Sequence, residues 1–218
     1  MHRAVYRLKS QVATCFETAA ALKAKTEALQ RRVAGGEIMT ASVFRHGLDF
    51  FAYYECLGDQ IPPEDLFGDL TRLAQGWPGE AAPQAWAPMA DIYHGAEPVS
   101  VGYWVRRGPV QALGQVNRLR WDKVASYVFY HYQYQEEKPG DWAKYAAIYL
   151  QDNYLFFYQE EPDGPAVTPY PGRLETANTP DGWQELMLEH FLPWDDDPAL
   201  ARPWRPAETV LSVWPVLE

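Results

Sequence analysis

Apolar residues in the first half of the chain gather in short aromatic-rich runs at 3–8, 39–44 and 49–55. Runs of this length bounded by turn formers predict strands. Between the first two, Val12, Phe16, Ala19, Leu22 and Leu29 recur near helical spacing among Ala, Lys and Glu, which predicts a helix over 11–33. Gly35 and Gly36 end it, as glycine beyond a helix end does. Pro62, Pro63, Glu64 and Asp65 suit a first helical turn and open a second helix. A Pro/Gly/Ala-rich stretch at 76–83 interrupts. A short helix over 86–93 and a strand over 99–105 complete the pattern βαββαβ.

The second half reads the same way. A strand is expected over 110–119, then Asp122 as helix N-cap and a helix over 123–135. Pro139, Gly140 and Asp141 end that helix early. Strands at 144–150 and 154–160 form a hairpin. A loop over 162–180 holds five prolines. A helix over 182–192 and a strand over 209–216 follow.

The two halves align locally. Leu48-Asp49-Phe50-Phe51-Ala52-Tyr53-Tyr54-Glu55 reads against Tyr154-Leu155-Phe156-Phe157-Tyr158-Gln159-Glu160, and Trp86 against Trp183. A repeat of about 100 residues is domain-sized. The expected fold is α+β: two tandem ferredoxin-like (βαββαβ) repeats, 1–106 and 107–218, packed sheet to sheet as an intrachain dimeric α+β barrel. A monomer with this internal pseudo-dimer, or a homodimer of it, follows.

Composition narrows the partners. The net charge is −10, and phosphate binding needs a basic surface, so nucleic acid is excluded. The run Asp195-Asp196-Asp197 reads as a solvated loop rather than an ion site. Two cysteines, Cys15 and Cys56, do not make a disulfide framework, which fits a reducing cytoplasm. No signal segment or bilayer-long apolar run is evident, so no membrane partner is expected. The sequence shows no phosphate loop, Cys-x-x-Cys or His-Glu-x-x-His, and neither metal nor cofactor is expected. Nine Trp and fourteen Tyr suit a core, and equally a sugar-stacking pocket.

The candidate chemistry lies in the helix of the second half. Tyr127 and His131 are i and i+4 and share one helical face. A histidine moves protons near neutral pH, and a tyrosine hydroxyl can orient or relay one. His46, His94 and His190 read as isolated surface or capping residues. In the first half, Phe16 and Ala20 take the places of Tyr127 and His131, so that copy keeps a scaffold without the chemistry.

Gln115-Val116-Asn117-Arg118-Leu119-Arg120, Asp122-Lys123-Val124, Tyr127-x-x-x-His131, Ala147-Ile148-Tyr149-Leu150, Asn153-Tyr154-Leu155-Phe156-Phe157, Glu160 and Trp183 occur in that order. Through these motifs the second half resembles the L-rhamnose mutarotase family. The match is nearly complete over that half but gapped, with the helix about five residues short. The resemblance implies small ferredoxin-like subunits paired through their sheets and cofactor-free exchange of sugar anomers. It implies that His131 is the proton donor to the ring oxygen, that Tyr127 holds a sugar hydroxyl and that Trp183 stacks on the sugar. One of the family's tandem tryptophans falls on Trp183 and the other on Gly182. A sugar-contacting strand tyrosine falls on Ala146, or on Tyr145 if the alignment slips by one. Glu160 stands either as the base or, like Glu55, as a structural group at a strand end. The competing readings are a non-catalytic carbohydrate-binding or regulatory protein, and a haem or oxygenase-type barrel.

Overall fold

The structure is a computed structural model describing residues 1–12, 19–78, 83–167 and 171–215. In chain order its elements are β1 (His2–Lys9), α1 (Ala19–Ala34), β2 (Ile38–His46), β3 (Asp49–Cys56), α2 (Pro63–Thr71), β4 (Ala87–Pro88), β5 (Ala90–His94) and α3 (Val101–Trp104). They continue with β6 (Gln111–Arg118), α4 (Val124–Glu137), β7 (Ala147–Gln151), β8 (Tyr154–Glu161), α5 (Trp183–Leu188) and β9 (Arg205–Val213). Helices and antiparallel sheets are mixed, so the class is α+β. Among the described residues, no helix is long and apolar enough to cross a membrane.

The chain forms two compact units. The first comprises Met1–Met89, Pro98–Ala112 and Ala207–Glu218. Its strands run in the order β4-β1-β3-β2-β9. The centre is β3, paired antiparallel with β1 along its whole length and with β2 on the other side. The β2–β3 hairpin turns on Gly47 and Leu48, and Gly47 sits at φ 61, where a side chain would be strained. Alternate residues of β3 face opposite ways. Phe50, Ala52, Tyr54 and Cys56 pack with Leu29 and Val33 of α1 and with Leu66, Phe67 and Leu70 of α2. Tyr53 and Glu55 point to the other face and are equally buried. There the Arg106 guanidinium grips Glu55 through two bonds of 2.6 and 2.7 Å, Trp104 Nε1 donates at 2.8 Å, and the Tyr53 hydroxyl donates to the same carboxylate.

The second unit comprises Ala90–Glu97 and Leu113–Pro206, with strand order β6-β8-β7-β5. The β7–β8 hairpin turns on Asp152 and Asn153, with Asp152 at φ 55. Tyr93, Leu119, Tyr127, Ile148, Leu155, Met187 and Phe191 form its helix-side core. The strand β5 pairs antiparallel with β7, and α4 lies along it, with the Gln135 side chain accepting from His94 N at 2.8 Å.

Several elements differ from the sequence expectation. The segment 86–93 is not helical. It forms β4 and β5, and Pro88, which has no N–H to give a ladder, sits at the sheet edge where that lack costs little. The segment 99–105 is not a strand. Ser100 Oγ accepts from Tyr103 N at 3.2 Å and caps the short α3, while Trp104 is drawn into the core to reach Glu55. Asp122 is not the N-cap of α4: Trp121–Lys123 is a 3₁₀ turn, and the cap position is Lys123, without a side-chain bond. The last helix is shorter than expected, and the final strand begins at Arg205. The helix end at Gly35 and Gly36 agrees: Gly36 N donates to Val33 O at 3.0 Å with φ 71. Phe16 lies outside the described residues, and Ala20 is exposed on α1.

Candidate functional site

The helix α4 turns Tyr127, His131 and Tyr134 to one side, at i, i+4 and i+7, and leaves Phe129 and Tyr132 exposed, as is Trp121 just before it. Tyr127 is 1% exposed and His131 3%. One turn of helix brings the Nδ1 of His131 to 2.9 Å from the backbone oxygen of Tyr127. A carbonyl only accepts, so Nδ1 carries the proton and Nε2 keeps a lone pair. The rings of Tyr127 and His131 lie 4.1 Å apart, centre to centre. Trp183 of α5 meets His131 edge-on at 5.1 Å and leans on Tyr134 at 4.8 Å. Tyr93 of β5 closes the other side at 5.9 Å.

Three of these groups, Tyr127, His131 and Trp183, border a cavity of about 440 Å³ within the second unit. They line it together with Gln115, Trp142, Phe157 and Trp204. Among the described residues, the lining contains no carboxylate, ammonium or guanidinium. The volume suits a small ring compound, and the indole and phenyl faces suit its apolar side.

Burial sets the protonation states. It pulls the His131 pKa down to about 4, helped by nearby His190 and opposed by the bond to Tyr127 O, so the imidazole is neutral at pH 7. Burial also pushes the Tyr127 hydroxyl far above its ordinary value, and it stays protonated. The family resemblance implies that His131 is a donor. Its one proton at neutral pH is committed to a backbone carbonyl, so the nitrogen left for a ligand is an acceptor.

Two expected residues fall elsewhere. Along β8, Leu155 packs in the helix-side core and Phe157 lines the cavity, so Glu160 has the opposite parity and faces the other side of the sheet. It is buried and accepts from the Tyr158 hydroxyl at 2.8 Å, as Glu55 accepts from Tyr53. Tyr145 precedes β7 and does not line the cavity. It lies against Gly164, where an added Cβ would come within 2.6 Å of its ring, and the Lys144 ammonium stands 5.2 Å from the ring centre. Ala146 is not at the cavity either; its carbonyl accepts from Gly95 N at 2.8 Å.

Strand alternation could have found Ile148 and Phe157 as cavity residues. Trp142 and Trp204 lie in irregular segments with no periodic signal. In the first unit, Phe67, Trp86 and Tyr54 fill the helix-side core with ring contacts of 5.8 and 5.9 Å. Among the described residues, no group of three or more His, Cys, Asp or Glu could hold a metal ion.

No family model matches this chain. No curated protein matches it. A crystal structure from Fusobacterium nucleatum subsp. nucleatum ATCC 25586, described as "Putative monooxygenase", matches over 96% of this chain and 92% of its own at 8% identity, with a TM-score of 0.48. At that level the likeness transfers no chemistry.

Proposed function

We propose that the second unit binds an uncharged ring compound and moves a proton on it, and that the substrate class is a deoxy aldose whose α and β anomers are exchanged. The observation that carries this is the neutral imidazole of His131, with Nδ1 committed and Nε2 left as a lone pair, set in an aromatic cavity with no charged group among its described lining residues. A deoxy sugar has an apolar face for Trp183 and few hydroxyls to satisfy, which fits a largely apolar lining whose described polar groups include Gln115, Gln184, Tyr127 and His131. The family likeness rests on the motifs quoted above alone. The matching hairpins and the paired Tyr53–Glu55 and Tyr158–Glu160 bonds support reading the two halves as copies of one ferredoxin-like pattern.

One base is enough for the reaction. Nε2 takes the proton of the anomeric hydroxyl; that oxygen becomes the aldehyde oxygen as the bond from the anomeric carbon to the ring oxygen breaks. The imidazolium returns its proton to the departing ring oxygen, which was bonded to the same carbon. The aldehyde rotates, and the reverse steps close the ring on its other face. Tyr127 keeps its proton and serves as a hydrogen-bond donor. Sugar ring opening is already fast in water, so a gain of about 10²–10⁴-fold suffices.

Saturation-transfer NMR on a panel of deoxy and neutral aldoses tests this. Faster anomer exchange is expected for at least one sugar, lost in His131→Gln with sugar binding kept. The rate constant kcat/KM should fall as pH drops through about 4, with no step near 6.5, because the base titrates where its buried pKa lies. No acceleration for any sugar rejects the proposal. Among the described residues the lining holds no carboxylic acid to pair with His131, which favours one other reading, a non-catalytic carbohydrate binder. Under that reading sugars bind without faster exchange.

A further inference from the structure

We propose that Glu137, at the last turn of α4, is a positioning residue that sets Trp183 in the cavity wall through the segment 172–179. The proposal rests on reading the cavity as a ligand site and extends it to a residue outside that cavity.

Glu137 gathers five hydrogen bonds. Its Oε1 accepts from Thr176 Oγ1 at 2.5 Å, Asn178 N at 3.0 Å and Gln133 Nε2 at 3.1 Å. Its Oε2 accepts from Thr179 N at 2.7 Å and from the Thr179 hydroxyl at 2.5 Å. Four of these five donors belong to one irregular segment. The preceding residue, Glu136, holds the same segment farther back, accepting from Arg173 N at 2.7 Å. Gly172 lies so close to the Glu136 carbonyl that a Cβ there would stand 1.9 Å from its oxygen. The segment is thus fastened to α4 at two consecutive carboxylates. Four residues after Thr179 comes Trp183, against Tyr134 and His131.

The geometry links anchor and wall along one helix face. His131, Tyr134 and Glu137 or Lys138 follow at three- to four-residue steps, so α4 holds the strap at its end and receives the indole one to two turns earlier. With a link of three residues between Thr179 and Trp183, the start of α5 cannot move far while Thr179 is fixed. A carboxylate is needed for all five donors. A carboxamide has one acceptor oxygen, and its NH₂ would face Thr179 N–H or the Thr176 and Asn178 donors.

The test uses the full chain labelled with 5-fluorotryptophan, read by ¹⁹F NMR, with W183F, W142F and W204F assigning those signals among the nine tryptophans. In Glu137→Gln the Trp183 signal should shift or broaden while those of Trp142 and Trp204 hold. Backbone amides of Asn178 and Thr179 should exchange with solvent about 10–100-fold faster, as loss of charge-assisted bonds predicts. Thr179→Val, a milder change, should move both readouts the same way by less. With the sugar that responds, KM should rise several-fold with kcat little changed. An unmoved Trp183 signal beside faster amide exchange overturns the proposal, and so does unaltered exchange at Asn178 and Thr179. The fluorine signals do not depend on catalysis. If no sugar exchanges faster yet Trp183 responds to Glu137→Gln, the sugar reading fails and the positioning role stands. If anomers exchange faster while Trp183 stays unresponsive, the positioning role fails and the sugar reading stands.

Discussion

At the scale of single residues, the site turns on one buried imidazole whose environment sets its charge. Its folded-state pKa of about 4 lies below the ordinary 6.5. The unfolded chain therefore binds the proton more readily than the folded one between those values. Stability from this group is complete above pH 6.5 and is lost as pH falls toward 4, by about 3 kcal/mol over the window. Denaturant unfolding of wild type and His131→Gln across pH 4–7 should show the wild type losing more stability on acidification by an amount of that order. Parallel curves would mean the ring is not buried neutral. The acceptor role comes from the same facts. Spacing alone identified the Tyr127–His131 face in the sequence, because i and i+4 sharing a side is pure helix geometry. It did not identify the direction of proton movement. That depends on burial and on the Tyr127 carbonyl, which every helical residue has and no motif records.

At the scale of elements, alternation and glycine placement carried most of what was legible. The paired strands β2–β3 and β7–β8 were readable because each is a dense apolar run with a tight turn, Gly47-Leu48 or Asp152-Asn153. Local preference misleads where tertiary contacts outweigh it. Trp86-Ala87-Pro88-Met89 has helix-like spacing, yet its proline and the open edge of β1 make it a two-residue strand. Val99 to Val105 is rich in strand formers, yet Ser100 caps a turn of helix that delivers Trp104 and Arg106 to Glu55. For Glu160 the sequence left two roles open, base or strand-end group, and parity along β8 from Phe157 favours the second, beside Tyr158. The loop after β8 was legible only as proline-rich, although one of its glycines is tightly constrained. Gly172→Ala would push a methyl into the backbone oxygen of Glu136. A loss of about 1–3 kcal/mol is expected from equilibrium denaturation, as for other overpacked positions. A neutral result would show that 172–179 is held less firmly than its bonds imply.

At the scale of the molecule, each compact unit draws on chain from both halves of the sequence. The strand β5, encoded before residue 106, completes the second unit's sheet beside β7. The strand β9, encoded near the end, completes the first unit's sheet beside β2. Its docking is specific: Thr40 Oγ1 donates to Val213 O at 2.7 Å, and the Ser42 and Ser212 hydroxyls meet at 2.6 Å, across 170 residues or more of sequence. A periodic reading finds β9 but takes the β5 segment for helix, and it finds neither pairing, because apolar alternation says which face is buried and not which neighbour completes the ladder. The consequence is testable by cutting the chain. A fragment 1–106 would leave the β2 edge open and strand β5 without a partner; a fragment 107–218 would bare the β7 edge and leave α4 without Tyr93 beside His131. Unpaired edges of this kind aggregate or stay unfolded. Each fragment alone is expected to lack a cooperative thermal transition, whereas the two co-expressed should associate and recover one. Because pairing β2 with β9 closes so long a loop, refolding of the intact chain should also be slow for its size. A fragment 107–218 that melts cooperatively by itself, with the His131 ring signal of the intact chain, would show that β5 is dispensable to the cavity.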